Sequence, residues 1–123
     1  MRSVVAALAA ATLLGCAPMH AEPAPPPAHG LAPDLLAAMR ADAARRGHVA
    51  DVEARVVSVQ PVTWPDGAIG CPQPGMVYTQ MLVPGWLVQI EAGTQRLAYH
   101  VGRGGRWLMC PQGQAQPPLT TAS

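Results

Sequence analysis

The sequence has few charged residues and no lysine. Its 123 residues include eight arginines and seven acidic residues, and charged residues make up only 12% of the chain. The arginines are scattered, and Arg45-Arg46 is the only adjacent pair. A chain without a basic cluster offers no electrostatic surface to nucleic acid, and one without an acidic run does not concentrate cations. We therefore expect no nucleic-acid partner.

The sequence also lacks the short motifs that carry enzymatic chemistry. It contains no Gly-x-Ser-x-Gly elbow and no glycine-rich phosphate loop, and no two carboxylates stand at a catalytic spacing. The candidate acid–base groups are isolated from one another: Asp66, Glu91, Tyr99 and His100. Because these groups do not form a nucleophile, a base and an orienting group, the sequence predicts a protein that is not an enzyme and has no cofactor.

The N-terminus has the form of a secretory signal. Residues 1–3 carry one positive charge, and residues 4–14 form an apolar run that is too short to span a membrane. The four residues 13–16, Leu-Leu-Gly-Cys, resemble a bacterial lipobox. This resemblance implies cleavage between Gly15 and Cys16, lipid on Cys16, and a place in the cell envelope, on the outer membrane facing the periplasm if the host is Gram-negative. The alternative is an ordinary secretory signal.

Cysteine is scarce, and two cysteines remain besides Cys16. Cys71 and Cys110 form no Cys-x-x-Cys pair, and no histidine lies within a few residues of either, so a metal-bound or reactive pair is the less favoured interpretation. In the oxidising compartment that an exported protein enters, we predict a Cys71–Cys110 disulfide. Such a bridge would stabilise a small domain by about 4 kcal/mol in the chain-entropy account.

Composition divides the chain into four parts. Residues 1–15 are the signal peptide, and residues 16–30 are a proline- and alanine-rich tether that we expect to be disordered. His20 and His29 in the tether are interpreted as spacer residues. Residues 31–112 form one small domain, and residues 113–123 an uncompacted tail.

The domain begins with an amphipathic helix. Pro33 and Asp34 suit a first helical turn, and a stripe of apolar residues follows. The stripe consists of Leu35, Leu36, Met39 and Ala43. Arg45-Arg46-Gly47 then supplies the cations and the glycine that end a helix.

After the helix the apolar period changes to two. A strand is predicted from Asp51 to about Trp64. The alternation slips near Val56-Val57, which indicates either a bulge there or a strand that is buried on both faces at its far end. Gly93-Thr94 is a two-residue turn signal, and Gly104-Gly105 is a second one. The sequence therefore predicts an α+β fold, with one amphipathic helix packed on an antiparallel meander of three to five strands and held by one disulfide.

These two turns also predict the register of the sheet. The first turn places Glu91 opposite Arg96 and gives one face of the hairpin an apolar surface: Trp86, Val88, Ile90, Leu97, Tyr99 and Val101. The second turn, if it has two residues, places Val101 opposite Leu108, Tyr99 opposite Cys110 and His100 opposite Met109. Cys110 would then point into the same core.

The long connection between residues 64 and 85 is the expected binding surface. It opens with WPDGAIGCPQPG, contains four prolines and one cysteine, and is predicted to hold a short strand at residues 76–83. Loops of this length in compact domains are usually functional or disordered, and a proline-rigidified loop loses little entropy when it binds. The predicted partner contacts are Trp64, Asp66, Tyr78 and Gln80.

The residues of this loop and of the later strands form a pattern that resembles a group of small exported bacterial domains with no assigned function. The similarity covers roughly residues 56–110. The pattern consists of Trp-Pro-Asp-Gly-x-x-Gly-Cys-Pro-x-Pro-Gly at residues 64–75, followed by Tyr78-Thr79-Gln80, Val83-Pro84-Gly85, Tyr99-His100 and Cys110.

The order of elements resembles cystatin-like and PepSY-like exported domains. Cystatins inhibit papain-type proteases through a Gln-x-Val-x-Gly hairpin, and residues 80–85 here, Gln-Met-Leu-Val-Pro-Gly, are one residue longer. The resulting expectation is a membrane-anchored, non-catalytic binding module of the envelope, with an envelope protein or peptide as its partner. A protease-inhibitor-like domain is the alternative. A small enzyme, or a soft-metal site for Cu(I), is less favoured; the metal site would use Met76, Met81, Met109 and His100.

Overall fold

The computed structural model describes residues 14–16 and 29–121. Its elements are one helix and five strands: α1 (Pro33–Gly47), β1 (Arg55–Trp64), β2 (Val83–Ala92), β3 (Gln95–Val101), β4 (Trp107–Cys110) and β5 (Thr120–Thr121). The strands form one antiparallel sheet in the order β4-β3-β2-β1-β5, and α1 packs on one face of it. The predicted α+β fold is confirmed.

The ends of α1 follow from its sequence. Pro33 lies at the start, where its missing N–H costs nothing, and Asp34 complements the helix dipole. The left-handed residue after the helix is His48, with φ of 54°, rather than Gly47. Gly47 is required for a different reason, because a Cβ atom there would lie 2.5 Å from the carbonyl oxygen of Ala92.

The main core lies between α1 and the sheet. The predicted apolar face of the β2–β3 hairpin is confirmed, since its residues belong to this core together with Leu31, Met39, Ala43 and Ala44. A polar contact joins the two layers: the Tyr99 hydroxyl donates a hydrogen bond of 2.7 Å to Asp42 on the helix. Burial and this bond raise the pKa of Tyr99. Burial alone would raise the pKa of Asp42, but hydrogen bonds from Arg46 and Tyr99 outweigh it and lower that pKa.

The first strand is shorter than predicted. Residues Asp51–Glu53 form a 3-10 turn, and the strand starts at Arg55. Arg40 of the helix donates a hydrogen bond of 3.1 Å to the carbonyl of Ala54, which fixes this corner. The predicted bulge is confirmed, because the register against β2 shifts between Val56 and Ser58.

The hairpin register was correct for β2 and β3 but wrong for β4. Glu91 faces Arg96 as predicted, with an ion pair of 2.8 Å. The connection to β4 is a 3-10 turn at Arg103–Gly105, and Gly102 donates a hydrogen bond to the carbonyl of Arg106 across it. Three residues therefore connect the strands instead of two, which shifts β4 by one residue. His100 faces Leu108, and the other β4 pairs are Ala98–Cys110, Tyr99–Met109 and Val101–Trp107.

The C-terminal segment also differs from the prediction. Instead of an uncompacted tail, residues 113–121 run back along the sheet and end as the edge strand β5. Gln116 donates a hydrogen bond to the carbonyl of Gly70, and Leu119 donates one to the carbonyl of Thr63. The packed chain therefore extends to residue 121.

The N-terminal predictions fall largely outside the described residues. Most of the signal peptide, His20 and residues 17–28 of the tether belong to the parts of the chain that the structure does not describe. Leu14 and Cys16 are exposed, and Cys16 is a free cysteine. His29 is more than a spacer, since its carbonyl accepts a hydrogen bond of 2.7 Å from Trp86. Within residues 14–16 and 29–121, no helix is long and apolar enough to cross a membrane.

Candidate functional site: the loop end of the sheet

A second, smaller core lies on the sheet face opposite α1. Trp64 is its centre and is fully buried, packed with Val62 and Ile69. The Trp64 indole N–H donates a buried hydrogen bond of 3.0 Å to the carbonyl of Val101. Trp64 therefore holds the end of β1 to the end of β3. The prediction that it contacts a partner is wrong, because its side chain has no exposed surface.

His100 is part of the same core. Its ring stacks on Trp64, with ring centroids 4.5 Å apart and planes inclined by 14°. Its Nδ1 atom lies 2.7 Å from the carbonyl oxygen of Ile69, and since a carbonyl only accepts, Nδ1 carries the proton. Burial lowers the pKa of His100, against the opposing effect of this hydrogen bond. His100 is therefore a buried core residue.

The glycines of the sequence pattern make room for Trp64. A Cβ atom at Gly70 would overlap the indole ring, and one at Gly85 would overlap the carbonyl oxygen of Val101. Gly70 also has φ of 74°, a conformation that favours glycine, and it follows Ile69, which has φ of 47°. Trp64, Gly70, Gly85 and His100 of the pattern thus belong to one packed unit, whereas Tyr99 lies in the main core beneath α1.

The predicted disulfide is confirmed. Cys71 and Cys110 are bonded, with Cα atoms 5.8 Å apart, and both are buried. The register shift of β4 places Cys110 opposite Ala98 and on the His100 side of the sheet, rather than in the core beneath α1. The bridge therefore fastens the 64–85 loop over the second core.

The other predicted contacts have local partners in the loop. The carboxylate of Asp66 accepts a hydrogen bond of 2.9 Å from the N–H of Ala68, which closes a turn. The hydroxyl of Tyr78 accepts one of 3.0 Å from the N–H of Gln73. Gln80 is exposed, and its amide donates to the carbonyl of Tyr78. Asp66 and Tyr78 are half-buried, so all three have surface available.

The most exposed large side chains of the loop are apolar, and they were not among the predicted contacts. Met76, Val77, Met81 and Leu82 expose between 57% and 95% of their surfaces, Val77 the most. We call residues 76–82 the apolar segment. The predicted strand is absent here, since β2 begins only at Val83. Nothing in the sequence pattern distinguishes these side chains from core residues, because a Met–Val pair and a Met–Leu pair suit either environment.

The apolar segment borders two arginines. A cleft of about 240 Å³ is lined by Met81 and Leu82 on one side and by Arg103 and Arg106 on the other. Arg106 donates a hydrogen bond of 3.2 Å to the carbonyl of Gly67, and neither arginine forms an ion pair within the described residues. The cleft therefore joins apolar side chains to two cations without a carboxylate partner.

The other candidate sites, a groove and the Cu(I) site, have less support. A groove of about 620 Å³ lies between the second face and the C-terminal segment, with Trp64, His100 and Arg96 among its lining residues. His100 and Met109 belong to opposite faces of the sheet, so the register argument for a Cu(I) site is wrong. Among the described residues, no three His, Cys, Asp or Glu side chains are grouped closely enough to hold a metal ion.

A family model matches residues 36–110, more than half of the chain. The chain belongs to DUF8738, a domain of unknown function. The DUF8738 match runs from the first turn of α1 to the second disulfide cysteine, so it contains Trp64, His100 and the apolar segment. No curated protein and no solved structure matches the chain.

Proposed function

We propose that this DUF8738 protein is a non-catalytic binding module of the bacterial cell envelope. Lipid on Cys16 anchors it to a membrane, and the apolar segment of the 64–85 loop is its binding surface. The observation that carries the proposal is the exposure of four large apolar side chains on a loop that is otherwise firmly held. Large exposed apolar patches on a soluble domain commonly mark interaction sites.

The rigidity of the loop supports binding through it. The disulfide joins the loop to β4, Trp64 fixes its start, and Gly67 donates a hydrogen bond of 2.8 Å to the carbonyl of Thr79, which ties its two halves. Side chains carried on such a frame need little ordering when a partner arrives, so less of the interaction is lost to entropy.

The geometry favours binding over the alternatives. The groups considered for acid–base chemistry have structural partners: Glu91 pairs with Arg55 and Arg96, and Tyr99 donates to Asp42. The inhibitor alternative depended on a hairpin at residues 80–85. Residues 83–85 instead lie in β2, between β1 and β3, so the hairpin is absent.

A site-specific photo-crosslinking experiment tests the binding surface. A benzoylphenylalanine side chain is placed at Val77 in the full-length protein in its native host, and a matched one at Thr94, an exposed residue of the β2–β3 turn at the far end of the sheet. We expect adducts from position 77 in far higher yield than from position 94, because only position 77 belongs to the apolar segment.

A double substitution in the apolar segment is the second part of the crosslinking experiment. Met81→Ser with Leu82→Ser should remove most of the position-77 adduct, while the folded state changes little because both side chains are exposed. Equal yields from positions 77 and 94, or an adduct that survives the double substitution, would contradict the proposed surface.

A further inference from the structure

The apolar segment lies at the same end of the sheet as the chain that leads to Cys16. We define the loop end of the sheet as the end at which β1 and β3 finish and β2 and β4 begin. His29 is fixed there by its hydrogen bond to Trp86, and it lines a cleft together with Pro84 and Gly85. Leu82 precedes Pro84 by two residues. The tether therefore leaves the domain at the same end of the sheet as the apolar segment.

The reach of the tether limits how far this end can move from a membrane. Thirteen residue steps separate Cys16 from His29, and a fully extended chain spans at most about 3.6 Å per residue, or about 47 Å in total. If Cys16 carries lipid, the attachment point at His29 stays within that distance of the bilayer.

Further apolar and charged side chains gather at the loop end. Leu119 is 59% exposed, and its N–H donates to the carbonyl of Thr63, near the end of β1. The β3–β4 turn carries Arg103 and Arg106. Asp66 is the acidic residue of the 64–85 loop, so the charged side chains counted at this end are two arginines and one carboxylate. The end thus combines protruding apolar side chains with a small excess of positive charge.

Protruding apolar side chains together with positive charge suit a surface that binds anionic lipid. Apolar side chains enter the boundary between headgroups and acyl chains, and nearby arginines are attracted by anionic headgroups. Val77, at 95% exposure, stands clear of the domain, and it is not among the residues that line the cleft of Met81 and Leu82. Such protrusion suits insertion into a soft interface.

We propose that the apolar segment docks on the surface of the anionic bilayer to which Cys16 is anchored, with Arg103 and Arg106 on the headgroups. This inference rests on the anchor and on the binding surface proposed above, and it names the occupant of that surface. The domain then lies against the membrane by its loop end, with the β2–β3 turn at Gly93-Thr94 directed away.

A fluorescence measurement on the lipidated full-length protein tests the docking. Val77→Cys and, as a matched control, Thr94→Cys each introduce one thiol for an environment-sensitive dye, because Cys71 and Cys110 are bonded and Cys16 is acylated. The proteins are reconstituted in vesicles of phosphatidylcholine alone or mixed with phosphatidylglycerol. We expect a blue shift and quenching by brominated acyl chains at position 77 and not at position 94.

The same samples also show whether docking depends on the negative charge of the lipid. The shift at position 77 should be larger in the vesicles that contain phosphatidylglycerol, and Arg103→Gln with Arg106→Gln should abolish that difference. An aqueous signal from position 77 in both lipids would overturn the docking alone, and a protein adduct from the same position in cells would then identify a protein as the occupant. A purified chain without acyl groups on Cys16 would overturn both the anchor and the docking.

Discussion

At the scale of single residues, the sequence pattern of residues 64–110 mostly describes packing. Trp64, His100 and Gly70 interlock in the second core, and their side chains are buried rather than presented to a partner. The residues suited to binding are the plain apolar ones, Val77 and Leu82 among them, which contact solvent. The tryptophan, the histidine and the glycine therefore build the second core, whereas ordinary apolar residues form the candidate binding surface.

The buried imidazole of His100 should make stability depend on pH. Burial lowers its pKa in the folded state, so as the pH falls below about 6.5 the unfolded chain takes up a proton first and the free energy of unfolding decreases. Chemical denaturation at about pH 7.5 and about pH 5.5 measures the change, which should become smaller in His100→Gln.

The carboxylates do not obscure this test. The carboxylates whose pKa values are lowered, Asp42 and Glu91, lose their contribution only as the pH falls below their ordinary values of 3.8 and 4.5. Arg96, the charged side chain in the groove beside His100, keeps its charge throughout. A free energy of unfolding that is equal at both pH values, or a slope unchanged in His100→Gln, would show that the imidazole is not buried as described.

At the scale of elements, short sequence patterns were sufficient to predict those helices and strands whose contacts are close in the sequence. The alternation of β2 and β3 and the turn at Gly93-Thr94 predicted the hairpin and its register. The β4 register could not be predicted, because Gly104 and Gly105 fit a two-residue or a three-residue connection equally well. The burial of Trp64 was hidden for another reason: it depends on the loop folding back over the sheet, which no periodicity encodes.

The edge strand β5 could not be predicted either. Its segment is rich in proline and glutamine and has no alternating pattern, and main-chain hydrogen bonds hold it to Gly70 and Thr63. Main-chain bonds leave no signal in side-chain identity. An edge strand of two residues is therefore invisible in the sequence, although residues 115–118, which lead to it, line the groove beside the second core.

Deleting residues 113–123 should destabilise the domain. The deletion removes the bonds to Gly70 and Thr63, and at about 1 kcal/mol for each hydrogen bond the free energy of unfolding should fall by about 2 kcal/mol. Urea denaturation followed by tryptophan fluorescence measures the difference. A control that lacks only residues 122–123 keeps β5 and should match the full-length chain. Equal stability of both truncated chains would show that the C-terminal segment does not contribute.

At the scale of the whole molecule, the two ends of the domain differ. The loop end carries the tether, the apolar segment and two arginines, whereas the far end carries the Gly93-Thr94 turn and the Glu91 ion pairs. The orientation of the domain on a membrane follows from this asymmetry only if Cys16 is the point of attachment. The proposed orientation therefore depends first on the lipid on Cys16.

The most direct measurement is the chemical state and location of Cys16 in cells. Wild-type protein and the Cys16→Ser variant are expressed at full length, separated into membrane and soluble fractions, and analysed by mass spectrometry of the N-terminal peptide. The account predicts wild-type chains in the membrane fraction that begin at Cys16 and carry acyl groups, and Cys16→Ser chains without lipid in the soluble fraction. A wild-type peptide with unmodified Cys16, or the same distribution for both proteins, would contradict the account.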